Sequence, residues 1–153
     1  KHDNALSWFH QALAIEEAFA DSHGFELSVT YNNIGDIHFS RKELPLALSY
    51  LEKAKQVREK SCASTDYRLV NIYNNIAHVY IEMKEWSTAL EFLKKKLAIQ
   101  HISVPEDHPH LIDTYKNLAV VYYLLGDQAM AFHYRDRVPT FNPCPGPKYS
   151  DLP

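Results

Sequence analysis

The chain has 153 residues, of which 46% are hydrophobic and 23% charged, and its 16 Lys and Arg against 19 Asp and Glu give a net charge of −3. This is the length and composition of about one soluble globular domain, and the weak acidity argues against nucleic acid or an anionic membrane as the main partner. Only four residues are Gly, which argues against a Gly-rich phosphate loop and a turn-dense all-β fold, and no apolar run approaches the roughly 18 residues of a membrane helix.

From the N-terminus, apolar residues recur at spacings of three and four, the stripe of an amphipathic helix. A first helix is expected over about 4–20, with Leu6, Phe9, Leu13 and Ile15 as an apolar face, part of it exposed and part turned to the next helix. A second, about 25–40, carries Leu27, Tyr31, Ile34, Ile37 and His38, and a third, about 44–60, carries Leu44, Ala47, Leu48, Leu51 and Ala54. The pattern then recurs. Tyr31-Asn32-Asn33-Ile34-Gly35 returns as Tyr73-Asn74-Asn75-Ile76-Ala77 and as Tyr115-Lys116-Asn117-Leu118-Ala119, each time 42 residues on. Residues 25–66 and 67–108 share 12 identities, where chance gives roughly two or three.

The recurrence predicts helices over about 67–82, 86–101, 109–124 and 127–137. The links Arg41–Leu44, Lys84–Trp86 and Gly126-Asp127 are short, so paired helices run antiparallel. Pro45 and Pro109 suit first helical turns, and Asp127 suits an N-cap. Gly35, Ala77 and Ala119 share one register of the first helices, and Ala47, Ala89 and Ala131 one register of the second. Small side chains there allow close approach, with Tyr31, Tyr73, Tyr115, Leu48, Leu90 and Phe132 filling the space beside them. Trp8 and Trp86 read as packing residues. Gln128 and Arg135 stand where Leu44 and Leu51 stand, which marks the last pair as an atypical terminal unit. Of eight prolines five lie in the last fifteen residues, so 139–153 reads as a proline-rich tail or linker.

Taken together these residues resemble the tetratricopeptide repeat (TPR). Tyr31-Ile34-Gly35, Tyr73-Ile76-Ala77-Tyr80 and Tyr115-Leu118-Ala119-Tyr122 match its first helix, and Ala47-Leu51-Ala54 and Ala89-Leu93 much of its second. The 42-residue period, the Asn-Asn-Ile-Gly string and the Glu106-Asp107-His108-Pro109 loop are similar to the kinesin-light-chain type. The resemblance implies an all-α fold, an α-solenoid or TPR-like superhelix of antiparallel helix pairs with about seven helices. It would span 1–138 as a half repeat 1–24 and repeats 25–66, 67–108 and 109–138. The half repeat lacks its partner helix, and the chain opens on Lys1 rather than Met, so further repeats are expected upstream.

In such arrays the first helices line a concave face that holds a partner peptide. Carrying those registers over gives Val29, Asn32, Asn33, Asp36 and Phe39, then Asn71, Asn74, Asn75, His78, Ile81 and Glu82, then Asp113, Lys116, Asn117, Val120 and Tyr123. An Asn carboxamide both donates and accepts, so a ladder of them suits an extended backbone. Asn33, Asn75 and Asn117 equally suit ties between adjacent repeats. Asp36, Glu82 and Asp113 outweigh Lys116, so a neutral or basic ligand is expected over an acidic one. The family's clamp for acidic EEVD tails needs Lys or Arg at several registers that here hold Asn32, Asp36, Asn75, Asp113 and Asn117.

Other constellations read as structural. His108-Pro109-His110 lacks the further ligands of a metal site and reads as the loop before a helix. His133-Tyr134-Arg135-Asp136 lacks the Gly-rich loop, lysine and DFG of a kinase. Lys94-Lys95-Lys96 reads as a solvated outer face. Cys62 and Cys144 match no zinc or CxxC spacing and read as thiols of a reducing cytosol. The expectation is therefore a cytoplasmic protein-interaction scaffold without enzymatic activity, metal or cofactor, binding no nucleic acid and no membrane. The alternative is a regulatory or targeting segment of a larger multidomain enzyme.

Overall fold

The computed structural model describes residues 2–18, 24–61 and 65–138. The expectations for the 139–153 tail and for Cys62 and Cys144 lie outside the described residues. Seven helices follow one another: α1 His2–Ala18, α2 Gly24–Ser40, α3 Leu44–Ser61, α4 Leu69–Glu82, α5 Trp86–Ser103, α6 Pro109–Leu124 and α7 Gln128–Arg135. The described residues contain no strand. Each helix packs on the next along the chain, and α2 also touches α4. This is a solenoid of antiparallel pairs whose core runs its whole length.

The two helices of a pair meet where the chain carries its smallest residues. Ala47, Ala77 and Ala89 have no solvent exposure. A Cβ placed on Gly35 would stand 2.7 Å from Leu51 Cγ and 3.2 Å from the Ala47 carbonyl oxygen. Beside this crossing each pair builds an aromatic cluster. His38 stacks on Tyr50 (5.4 Å between centroids, 11°), Tyr80 on Phe92 (5.8 Å, 14°) and Tyr122 on Tyr134 (5.6 Å, 12°). Tyr31, Tyr73 and Tyr115 lean on the same three second-helix rings at 6.3, 5.9 and 5.9 Å. Such tilted and offset pairs add to simple burial.

The turns that close the pairs are equally periodic. Lys42, Lys84 and Gly126 all have positive φ, at 62°, 61° and 82°. In each turn that residue's N–H bonds back to Phe39, Ile81 or Tyr123 (2.9, 3.0 and 3.0 Å), and the next N–H bonds to His38, Tyr80 or Tyr122 (3.0, 2.9 and 2.9 Å). This paired pattern satisfies the last carbonyls of a helix and requires a left-handed residue. Asp127 then caps α7 by accepting from the Met130 N–H at 3.1 Å. His108 caps α6 through Nδ1, which accepts from the His110 N–H at 3.2 Å, with Pro109 in the first turn. That is the part the His-Pro-His string plays here.

Several expectations are corrected. Trp8 is 72% exposed, while Leu6 and Leu13 are buried against α2. The turn-by-turn advance of α1 carries Trp8 and Ile15 to the side away from α2. Phe132 does not fill a gap: it is half exposed, with the Arg135 guanidinium 4.5 Å from its ring. The aromatic that packs on α7 is Tyr134. Lys96 is buried rather than solvated, at 5% exposure. α7 is also shorter than the 127–137 expected.

Two stability measurements check this packing. Ala47→Leu or Ala89→Leu would overpack the crossing, at a cost of ~1–3 kcal/mol each; unchanged denaturation midpoints for both would contradict it. Lys84→Gly would relieve a left-handed non-glycine residue and raise stability by ~0.5–1 kcal/mol; a loss would show that the Lys84 side chain stabilises the turn.

Candidate functional site

The first helices α2, α4 and α6 lie side by side, and their shared face carries the residues singled out above. Asn75 Nδ2 donates to Asn32 Oδ1 at 3.2 Å, joining α4 to α2. Asn117 Nδ2 meets His78 Nε2 at 3.4 Å, joining α6 to α4. Asn75 and Asn117 are therefore ties between neighbouring units. Glu82 pairs with Lys42 at 2.9 Å, and Asp113 with Lys116 at 3.2 Å. Asp36 and Asn71 are exposed, Asn33 and Asn74 half-buried. At the far end of the same helices stand Phe39 and Ile81, partly buried, and Tyr123 and Val120, exposed.

A cleft of about 360 Å³ opens between α4 and α6. Asn71, Asn74, His78, Asp113, Lys116 and Asn117 line it, six of the residues identified from sequence. Asn32, Asn33, Asp36, Asn75, Glu82 and Tyr123 lie outside it. Val70, Lys96, Gln100 and His110 complete the lining and were not anticipated. Lys96 comes from α5, and its Nζ donates to Asn74 Oδ1 at 2.7 Å. The 42-residue offset carried the signal, because Lys96 occupies the register of the fully buried Ala54. Gln100 is fully buried; its Nε2 donates to the His110 carbonyl at 3.1 Å, and its Oε1 accepts from Thr114 Oγ1 at 2.7 Å. It anchors the floor where α5 passes into α6.

Electrostatics follow from this burial. Desolvation lowers the Lys96 pKa to about 8, with Asp113 opposing. Desolvation also lowers His78, the nearby Lys96 ammonium adds to that, and Asp36 and Glu82 act the other way. With His neutral, the cleft holds Lys96 and Lys116 against Asp113, a net charge of +1. Its lining is polar, with the carboxamides of Asn71, Asn74, Gln100 and Asn117 beside the two ammonium groups. Among the described residues no three His, Cys, Asp or Glu form a metal-holding group, and no helix is long and apolar enough to cross a membrane.

Lys96 gives a pH test. Between about 8 and the ordinary 10.5 the unfolded chain holds a proton that the native protein does not, so stability rises with pH. Thermal midpoints of the parent chain are expected to climb from pH 8 to pH 10 relative to Lys96→Met; parallel curves would refute the burial of this charge. Above pH 10 the Tyr73 phenol, held up to about 12 by burial and then by Glu59, turns the trend downward.

The sequence profile of the tetratricopeptide repeat matches residues 1–60 and 68–137. No curated protein sequence matches the chain. Among solved structures it is similar to BtubC (BKLC) from P. vanneervenii, at TM-score 0.82 and 22% identity over 99% of this chain and 63% of that one. It is also similar to a Podosopora anserina protein assigned to the kinesin light chains, with nearly identical TPR-like repeats, at TM-score 0.80 and 19% identity over 90% of this chain and 65% of that one. A more distant likeness is the N-terminal domain of stress-induced protein-1 (STI-1) from C. elegans, at TM-score 0.61 and 16% identity over 74% and 82% of the two chains. The chain thus spans less than two thirds of the length of the first two. Repeats of this kind generally mediate protein–protein interaction and are generally non-enzymatic. The profile match over most of its length, on a solenoid of paired helices with a 42-residue period, makes this chain a member of the tetratricopeptide repeat family.

Proposed function

We propose that the face formed by α2, α4 and α6 holds an extended segment of a partner protein, with residues 1–138 acting as one array and 139–153 as a tail beyond it. The observation that carries this reading is the cleft at Asn71, Asn74, Lys96 and Asn117. Its amide and ammonium groups can satisfy the carbonyls and N–H groups of an extended backbone without selecting side chains. Phe39, Ile81, Val120 and Tyr123 offer apolar contact alongside. Asn32 and Asn33 extend the polar row toward α1.

Charge refines the ligand class. Over the whole face Asp36, Glu82 and Asp113 stand against Lys96 and Lys116, with Lys42 paired to Glu82. Lys96 narrows the acidic excess that sequence registers alone imply. Its ammonium is deep and already donates to Asn74, whereas Asp36 is exposed. A segment with neutral or basic side chains is the proposed ligand. Fluorescence-labelled Lys/Arg-rich and Glu/Asp-rich peptides at low ionic strength separate the cases. Preference for the basic set, weakened about 5–10-fold by Asn74→Ala through loss of roughly one hydrogen bond, is the expected outcome. A clear acidic preference would overturn the charge assignment, and binding indifferent to Asn74→Ala would overturn the site.

A further inference from the structure

A second place on the molecule, which among the described residues shares none with the cleft above, recurs at the 42-residue offset in the three units. Tyr31 Oη donates to Glu17, and Tyr73 Oη donates to Glu59 Oε1 at 3.0 Å. A lysine covers each ring: Lys53 Nζ lies 5.4 Å from the Tyr31 centroid and Lys95 Nζ 5.9 Å from that of Tyr73. Each of these two places contains a phenol, a cation and a carboxylate, all from this chain.

At the third place no carboxylate among the described residues bonds the phenol. Tyr115 is the phenol, and Arg137 replaces the lysine, its guanidinium carbon 5.8 Å from the ring. The position 42 residues after Glu59 is His101, whose ring lies 6.2 Å from that of Tyr115. Among the described residues Tyr115 Oη makes no hydrogen bond and Arg137 no ion pair. Where the other units have their glutamate, a cleft of about 260 Å³ is bounded, among the described residues, by His101, Glu106, Tyr115 and Arg137. Glu106, exposed on the loop before α6, bonds to none of the other three. The change from lysine to arginine also matters, since a planar guanidinium pairs with a carboxylate through two parallel hydrogen bonds.

We propose that this cleft binds a carboxylate that the repeat itself does not supply, an Asp or Glu side chain of a docked protein segment. Tyr115 Oη donates to it as Tyr73 Oη donates to Glu59, and Arg137 is its counter-charge. The solenoid then engages partners at two chemically distinct places, and this one is independent of the peptide-binding reading of the α2–α4–α6 face.

The probe is N-acetylglutamate amide, with N-acetylglutamine amide as its neutral isostere, titrated into the full chain at low ionic strength. NMR follows the Arg137 Nε–H and the Tyr115 ring. The acid is expected to shift both signals and the amide neither, with Arg137→Gln abolishing the response. His101→Glu rebuilds the arrangement of the first two units; it is expected to abolish the response too, in a protein whose melting temperature is at or above the parent's. Equal shifts with both probes, shifts spread evenly over exposed lysines, or a response surviving in His101→Glu would overturn the site. Glu106→Gln, and Asp151→Asn in the 139–153 segment, test for a carboxylate of the same chain. Movement of the Arg137 signal in either ligand-free variant would place the carboxylate within this chain and overturn the docking of a partner.

Discussion

The close crossing of the two helices in each unit governs the rest of this structure. Gly35 and Ala47 leave no room for a larger group against Leu51, so large side chains are displaced to either side of the contact. There they meet in the periodic stacks His38/Tyr50, Tyr80/Phe92 and Tyr122/Tyr134. Helices that cross this closely leave each pair with a second apolar face, which only the next pair can cover. A repeat array therefore has no central core, and its stability is a sum of units and their interfaces.

The same geometry sorts polar groups. Within the first helices, residues one register from the crossing are too close to the neighbouring unit to remain solvated, and they pair across it, as Asn75 does with Asn32 and Asn117 with His78. Residues one step further out keep free hydrogen-bonding capacity and line the face. Lys96 belongs to neither set. It occupies a buried second-helix register, where a long stem can lie along apolar surface while the ammonium emerges elsewhere, here at Asn74 in the cleft.

Small departures from the repeat mark chemistry. Lys for Ala at 96 puts a buried cation into the face between α4 and α6. His for Glu at 101 and Arg for Lys at 137 put an imidazole and a guanidinium where the other two units have a carboxylate and an ammonium. In both cases the helix pair is kept while one or two side chains change, which is how an array of similar units acquires distinct places along its length.

Helix number, pairing and register were legible in the sequence because they rest on local periodicity and an internal repeat that places every element three times over. Six of the cleft-lining residues were legible for the same reason, since first-helix positions alternate predictably between neighbour and solvent. The exposure of Trp8 was not legible, because an apolar residue on an amphipathic helix is buried only if a neighbouring helix lies on that side. Nor was the burial of Lys96, though its register was visible: read along the chain it belongs to a basic run, and only the packed helices show that its stem crosses the core. Local spacing determined which residues share a helix face. The packing of one helix on the next decided what each face meets, because exposure and electrostatic environment are set by residues from 14 to 43 positions away.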